Sequence, residues 1–224
     1  MAVPDTPLLL IPTDLELQRL LDRGGLDPQL GELETCGFGP VAAAARSAAL
    51  LAERRPSRVL LLGIAGAYDV VAHPLGEALE FGAVAIEGIG VGEGRALAGP
   101  PALGFPQWPG SSPAAGVERP AVYDRIALAG EGGLLLTTCA ASADAGQAAL
   151  RRERFPEALA EDMEGFAVAL ACSLAGVPLR IVRGISNEVG DRDPSRWRIP
   201  GALSAARRLA AEVLADGSRW AASP

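Results

Sequence analysis

The sequence predicts a three-layer α/β/α fold, in which helices cover both faces of a central twisted sheet that is mostly parallel or mixed. Short apolar runs without polar alternation, at residues 7–13, 57–64 and 179–185, are typical of strands buried on both faces. Helix-forming segments separate these runs, and strands that alternate with helices favour an α/β fold. A chain of 224 residues can bury one full core, so we expect a single domain over residues 1–224.

The composition excludes several classes of function. The formal net charge is −7, so we expect neither nucleic acid nor a membrane as a partner. All 20 basic residues are arginine, which excludes Schiff-base, P-loop and pyridoxal chemistry because each needs a lysine. The one histidine, His73, and three separated cysteines make a poor zinc set, so no metal is expected. No apolar run reaches the roughly 18 residues of a membrane span, and no cationic region precedes the first one, which predicts a soluble, cytoplasmic protein.

The first strand leads to an acidic residue at the edge of the sheet. Asp14 is the expected N-cap of a helix over residues 15–21, which places Glu16 in the first helical turn. Ligands of open α/β sheets bind at the carboxyl ends of the strands, so Glu16 is a candidate general base. Acidic residues are also common in first turns because the helix dipole favours them, and this structural interpretation stays open.

A glycine-rich segment, GIAGA at residues 63–67, ends the second buried strand and predicts a turn. Glycines let a backbone approach a ligand closely, and exposed amides near Ala65 and Gly66 can hold an oxyanion or a sugar hydroxyl. An ordinary tight turn after a strand is an equally good interpretation.

The other elements follow from the same patterns. We predict further strands at residues 31–36, 81–87, 122–128 and 132–138, and helices at residues 41–54, 198–216 and from Asp144 to residue 152. Residues 92–120 are rich in glycine, proline and serine, which predicts a long loop with the least order in the chain.

The stretch from Glu161 to Ala169 stands out because it carries three carboxylates and a methionine. We predict a helix over residues 162–175, with Met163 and Glu164 in its opening turn, and a polar Asn187 just past the last buried strand. Met163 is compatible with a core position, Glu164 with a solvated residue or a partner of Arg183, and Asn187 with a simple turn after the strand.

These side chains meet the demands of hydrolysing an N-glycosidic bond. Such a reaction needs a base for water, groups that stabilise the developing ribosyl cation, and a partner for the leaving purine. Glu16 can activate the water, Glu164 can accept ribose hydroxyls, and Met163 can pack against the sugar. Asn187 can address the base. From the residues alone, a nucleoside site remains one interpretation among several.

Four motifs in this order resemble the nucleoside phosphorylase/nucleosidase family, in particular its methylthioadenosine/S-adenosylhomocysteine nucleosidase branch. They are GFGPVAAA at residues 37–44, GIAGA at 63–67, FP at 155–156 followed by DMEG at 162–165, and RGISN at 183–187. The end of the last motif, with Val189-Gly190, Arg192-Asp193 and Trp197, is similar to a group in that family that releases hypoxanthine in menaquinone biosynthesis.

The resemblance implies a three-layer α/β/α fold, a homodimer or higher homo-oligomer, and no metal or cofactor. It implies that Glu16 activates water and that Met163 and Glu164 bind the ribose. It also implies that Arg183 and Ser186 position the pair and the base-binding residue, while Trp197 forms an aromatic wall.

Two departures from the family pattern refine the expected chemistry. Asn187 stands where adenine-specific members carry an aspartate that protonates the purine, and its NH2 and carbonyl suit the O6 and protonated N7 of a 6-oxopurine. Glu16 lies where phosphorylases hold phosphate, and an acid there favours water. Ile64 replaces a hydroxyl residue, which leaves only backbone amides in that segment.

We therefore expect a hydrolase whose partners are a hypoxanthine nucleoside and water. The alternatives are an adenine-releasing nucleosidase, a purine nucleoside phosphorylase and a non-catalytic nucleoside-binding protein.

Overall fold

The computed structural model describes residues 6–22, 25–27, 30–110 and 120–220. Within these ranges the chain forms one nine-stranded sheet. Its strands are β1 (Leu8–Ile11), β2 (Glu32–Thr35), β3 (Val59–Ala67), β4 (Ala78–Glu80), β5 (Ala83–Glu87), β6 (Arg125–Ala127), β7 (Leu134–Thr138), β8 (Ala158–Asp162) and β9 (Leu179–Glu188). The α-helices are α1 (Asp14–Leu21), α2 (Gly39–Arg54), α3 (Pro100–Leu103), α4 (Ala145–Arg154), α5 (Gly165–Ala175) and α6 (Ile199–Ala215).

The sheet is mixed and branches at β3. The main path runs β2-β1-β3-β8-β7-β5-β6, while β9 pairs with both β3 and β4. The pairs β1–β2, β1–β3, β3–β9, β5–β7 and β7–β8 are parallel, and β3–β8, β4–β9 and β5–β6 are antiparallel. Because only the tip of β3 reaches β8, the ends of β3, β8 and β9 meet at one place.

Helices cover both faces of the sheet, which confirms the predicted three-layer α/β/α fold. Helices α2 and α5 pack together on one face, and α1 and α6 pack together on the other. The strands contribute apolar side chains to both interfaces, with Leu8, Leu10 and Leu61 toward α2 and α5, and Leu9 and Leu60 toward α6. Within the described ranges, no helix is both long and apolar enough to cross a lipid bilayer.

Several local predictions are wrong in detail. The sequence predicts Asn187 just past the last strand, but β9 extends to Glu188 and contains it, paired with Gly66. Residues 63–67 continue β3 and do not form a turn. Gly63 is needed for close packing, because an added Cβ would lie 2.4 Å from Arg183 Nη1 and 2.7 Å from Glu16 Oε1. The predicted first turn of the central helix is the end of β8 and a short junction, so Met163 precedes α5 and Glu164 is its N-cap.

The N-cap of α1 and the predicted long loop also differ from the predictions. The N-cap of α1 is Thr13, not Asp14, and its side chain accepts a hydrogen bond from the Glu16 N–H. Within its described part, the segment 92–120 contains a 3-10 turn at Gly94–Ala96 and helix α3, and its Trp108 forms an isolated bridge with Val122. Residues 111–119 of that predicted loop lie outside the described residues.

Candidate active site

A cavity of about 340 Å³ opens where β3, β8 and β9 end beside the first turn of α1. A volume of this order suits a small ligand, and such a position at the end of the strands is where open α/β sheets bind them. Its wall includes every predicted site residue except Arg183, namely Glu16, Ala65, Gly66, Met163, Glu164, Ser186, Asn187 and Trp197. A second cavity of about 320 Å³, between α1 and α6, is lined by none of them.

Glu16 is held rigidly in the wall of this cavity. The side chain is buried, and the Thr13 hydroxyl donates to its Oε2 at 2.7 Å. The Ile64 N–H donates to Oε1 at 2.9 Å. Each carboxylate oxygen keeps acceptor capacity after one such bond. Glu16 can therefore accept a hydrogen bond from a water molecule in the cavity without changing its position.

Arg183 lies behind the cavity wall and contacts the carboxylates of Asp162 and Glu164. Its Nη2 donates to Asp162 Oδ2 at 2.6 Å and lies 3.5 Å from Glu164 Oε2, and the guanidinium is fully buried. Its Nη1 has no hydrogen-bond partner within the described residues and faces the space over Gly63, next to Glu16. The cation thus stabilises three carboxylates that would otherwise repel one another in a desolvated site.

Glu164 combines burial with a main-chain contact from a distant helix. The Gly39 N–H, at the start of α2, donates to Glu164 Oε1 at 3.0 Å. The pKa of the Glu164 carboxyl is raised to about 7: burial is the largest cause, the Arg183 guanidinium opposes it, and the charge of Asp162 adds to it. The group therefore changes charge near neutral pH. When it is ionised, it offers acceptors to a bound sugar.

The amide orientation of Asn187 follows from its neighbours. Its Nδ2 lies 2.9 Å from the Glu188 carbonyl oxygen, which can only accept, so the NH2 must face that carbonyl. The Ser186 hydroxyl, 2.7 Å from Oδ1, holds the other side. Among the described residues, no second partner occupies the other N–H or the other oxygen lone pair of Asn187, and both can bind a ligand. The amide thus presents a hydrogen-bond donor beside an acceptor, which is the pattern expected for recognising a 6-oxopurine.

The segment after β9 folds back over Ser186 and Asn187. The Arg198 N–H donates to the Ser186 carbonyl at 2.7 Å, and the Trp197 Nε1–H donates to the Asp191 carbonyl at 3.1 Å. These bonds fix the Trp197 ring as a wall of the cavity. The Arg192 guanidinium stacks on the ring at 5.0 Å from its centroid and also lines the cavity.

A second polar cluster supports the opposite wall, and the sequence prediction did not assign it. Glu161 is buried and accepts from the Ser142 N–H and hydroxyl, each at 2.7 Å, from the Tyr68 hydroxyl at 2.9 Å, and from Arg151 at 3.1 Å. Desolvation raises the pKa of the Tyr68 phenol, and Glu161 raises it further, so Tyr68 stays a donor. Four hydrogen bonds hold Glu161 in place, three of them at Oε2, which fits a structural role that fixes Ser142 in the wall.

Sequence reasoning also missed the contribution of residues 38 and 39. Phe38 is 68 % exposed and lines the cavity, while the Gly39 N–H holds Glu164. The signal was present, because the GFGP motif precedes a helix and a helix N-terminus attracts a carboxylate. Across the described ranges, no group of three or more His, Cys, Asp or Glu side chains is arranged to hold a metal ion.

The fold and this acid-and-amide site define a protein of the nucleoside phosphorylase and nucleosidase class. The family model described as the phosphorylase superfamily matches residues 125–216. A methylthioadenosine/S-adenosylhomocysteine nucleosidase from Colwellia psychrerythraea, solved in complex with adenine, has the same fold. It superposes with a TM-score of 0.71 at 19% identity, over 98% of each chain.

Closer relatives narrow the class. A futalosine hydrolase from Thermus thermophilus is 35% identical over 193 residues, which cover 82% of this chain and 80% of that protein. A futalosine hydrolase from Streptomyces coelicolor is 52% identical over 73 residues, which cover 33% of this chain and 31% of that protein. The protein belongs to the futalosine hydrolase family, and the match to the Streptomyces relative spans about a third of that relative's length.

Proposed function

We propose that this protein hydrolyses the N-glycosidic bond of futalosine and releases hypoxanthine and dehypoxanthine futalosine. The observation that carries the proposal is the fixed amide of Asn187, which presents a donor and an acceptor on the same cavity as the held carboxylate of Glu16. Membership of the futalosine hydrolase family supports the same substrate.

The proposed reaction begins with the water bound to Glu16. As the bond between the sugar C1′ and the purine N9 lengthens, the ribosyl group gains positive charge and the electron pair moves to the base. Water attacks C1′, and the Glu16 carboxylate takes its proton. The net change adds one water and gives a free sugar hydroxyl and free hypoxanthine.

The leaving base is stabilised by hydrogen bonds and not by a protein acid. Asn187 cannot give up a proton, so solvent supplies the proton at the purine N7. The Asn187 Oδ1 then accepts from the N7–H, and its free N–H donates to O6. An adenine base presents an NH2 in place of O6 and would face that N–H donor to donor, which disfavours the adenine-releasing alternative.

The sugar lies between these two groups. Glu164, once ionised, accepts the ribose hydroxyls, and Met163 packs against the ribose in the junction before α5. Arg183 acts through Asp162 and Glu164 and does not touch the sugar. The buried carboxylate of Glu16 repels phosphate at the position where a phosphorylase would need it, which favours hydrolysis.

The broader setting forms part of the same proposal. We expect the reaction to serve menaquinone biosynthesis in the cytoplasm, with the protein acting as a homodimer or higher homo-oligomer that needs no metal or cofactor. Light scattering coupled to gel filtration measures the oligomeric state, and activity after exhaustive chelation tests the independence from metals.

A phosphate-free incubation tests the activity itself. The protein is supplied with futalosine, methylthioadenosine or inosine, and the released base is separated and identified. We expect hypoxanthine from futalosine without added phosphate, at least about 100-fold faster than adenine from methylthioadenosine. A strict requirement for phosphate would establish a phosphorylase.

The variant Glu16→Gln is the control for turnover. It keeps the side-chain shape but has no basic carboxylate, so it should bind futalosine and lose at least about 100-fold in kcat. Binding by both proteins with no release of base by the wild type would establish a non-catalytic binding protein.

A further inference from the structure

The loop between β9 and α6 contains Arg192, which forms no ion pair with the two aspartates of that loop. Asp191 and Asp193 both face Arg196, at 2.6 Å and 3.6 Å from its guanidinium nitrogens. Asp193 also accepts from Ser195, which closes the loop on itself. Among the described residues, no carboxylate lies within ion-pair distance of Arg192, so its charge is available to a ligand.

Arg192 is also placed by the ring beneath it. Its guanidinium lies over the Trp197 ring, whose N–H is occupied by the Asp191 carbonyl. A guanidinium stacked in this way keeps its in-plane N–H donors free, and its fork matches the two oxygens of a carboxylate. Because Arg192 and Trp197 both line the cavity, these donors lie at its mouth.

The neighbouring wall suits an aromatic group. Leu15, Phe38 and Ile199 line the same cavity as Trp197, and the Leu15 and Phe38 side chains are more than half exposed. Apolar and aromatic surface of this kind binds a planar ring, while a rim cation selects for negative charge. The combination fits a ligand whose far end is a carboxylated aromatic ring.

We propose that Arg192 and Trp197 form the subsite for the carboxylated aromatic end of the substrate, beyond the ribose. This inference rests on the proposed function, since futalosine is a nucleoside that ends in such a group. Trp197 packs against the ring, and Arg192 donates a charge-assisted hydrogen-bonded fork to its carboxylate. Arg196 is committed to Asp191 and Asp193 and does not line the cavity, so it does not share this role.

The test compares futalosine with its methyl ester, in which a methoxy group replaces the negatively charged oxygen of the carboxylate. Arg192→Gln should raise KM for futalosine about tenfold and leave kcat within about twofold. The same substitution should change KM for the ester by less than about twofold, because the ester makes no charged contact with Arg192. Arg192→Lys should restore part of the preference for futalosine, since it keeps the charge without the fork.

Arg198→Gln is the matched control. Arg198 is exposed in the same loop, lies outside the cavity wall and has no ion pair within the described ranges, and the substitution keeps the main-chain N–H that donates to Ser186. The substitution removes one positive surface charge, as Arg192→Gln does, and should leave KM and kcat for both substrates unchanged. An equal effect of Arg192→Gln on both substrates, or no effect on either, would overturn the proposed subsite.

A binding measurement separates failure of this subsite from failure of the proposed function. Calorimetry with Glu16→Gln gives Kd values for futalosine and the ester without turnover, and adding Arg192→Gln should remove the difference between them. If the wild type releases no hypoxanthine, the proposed activity is wrong, and this calorimetric difference still decides whether Arg192 reads the carboxylate. Equal Kd values before the Arg192 change would also overturn the inference.

Discussion

The charge state of Glu164 gives the sharpest prediction. Burial raises the pKa of this carboxyl from its ordinary 4.5 to about 7 in the folded protein. The folded state therefore binds more protons than the unfolded state between these values, and stability falls as pH rises through this window. The full penalty, reached above about pH 7 and absent below pH 4.5, is about 3 kcal/mol. This value already includes the opposing effect of the Arg183 guanidinium, which favours the ionised form.

The variant Glu164→Gln removes this titration while keeping an oxygen that accepts from the Gly39 N–H. Urea denaturation at several pH values between 4.5 and 8 gives the free energy of unfolding for both proteins. The variant should gain on the wild type by about 3 kcal/mol across the window. Glu212→Gln, an exposed change on α6, is the control and should follow the wild type.

The same ionisation should appear in catalysis. In the proposed reaction ionised Glu164 accepts the ribose hydroxyls, so kcat/KM for futalosine should rise with pH through a pKa of about 7 of the free protein. Glu164→Gln should lower kcat/KM about 100-fold and abolish this rise. If the wild type and the variant show parallel pH profiles for both stability and kcat/KM, the reasoning is refuted.

Three further substitutions test the rest of the site. Arg183→Met breaks the buried cluster and should lower the free energy of unfolding by about 3–5 kcal/mol, or Tm by about 6–20 °C, and should also lower activity. The control is Arg180→Met, because Arg180 is an equally buried arginine of β9 outside the cavity; it should cost similar stability but keep the kcat/KM of the folded fraction. Equal losses of activity in the two variants would argue against a special role of Arg183. Gly63→Ala places a Cβ 2.4 Å from Arg183 Nη1, so we expect a loss of about 1–3 kcal/mol and of at least about tenfold in kcat, whereas a wild-type kcat would contradict the close-approach argument. Asn187→Asp should slow hypoxanthine release and increase adenine release from methylthioadenosine, measured by chromatography of the free base, and no gain in adenine release would contradict the base-reading argument.

Local patterns predicted the elements of the fold well where one segment decides its own structure. The apolar run at residues 7–13 contains β1, and the helix predicted to start at Asp144 is α4, with the Asp144 side chain accepting from the Gln147 N–H. The resemblance to the nucleoside phosphorylase/nucleosidase family is confirmed by the relatives. These features depend on neighbours in sequence or on whole motifs, so a single sequence contains them.

The incorrect secondary-structure predictions concern positions whose conformation depends on residues far away in the sequence. Gly63 suggested a turn, but β3 continues through it because it pairs with β9, and a glycine stands there because Glu16 and Arg183 approach it from segments 47 and 120 residues away. The Met163–Glu164 pair suggested a helical turn, yet pairing of β8 with β7 extends the strand through Asp162. No periodicity reports such contacts, and the catalytic and binding roles assigned to these residues stay predictions.

The site contacts tie parts of the chain that are far apart in sequence. Glu16 bonds to Ile64, Gly39 to Glu164, and Ser186 to Ala65, so residues early in the chain complete a cavity whose other wall comes from its last third. A partly unfolded molecule that releases any one of these segments has no binding site. Ligand affinity is therefore coupled to global unfolding, and a ligand at about 100 times its Kd would stabilise the whole fold by about 2.7 kcal/mol. Occupancy of the cavity by a ligand should thus protect the protein from unfolding, and loss of the ligand should leave it more exposed to proteolysis.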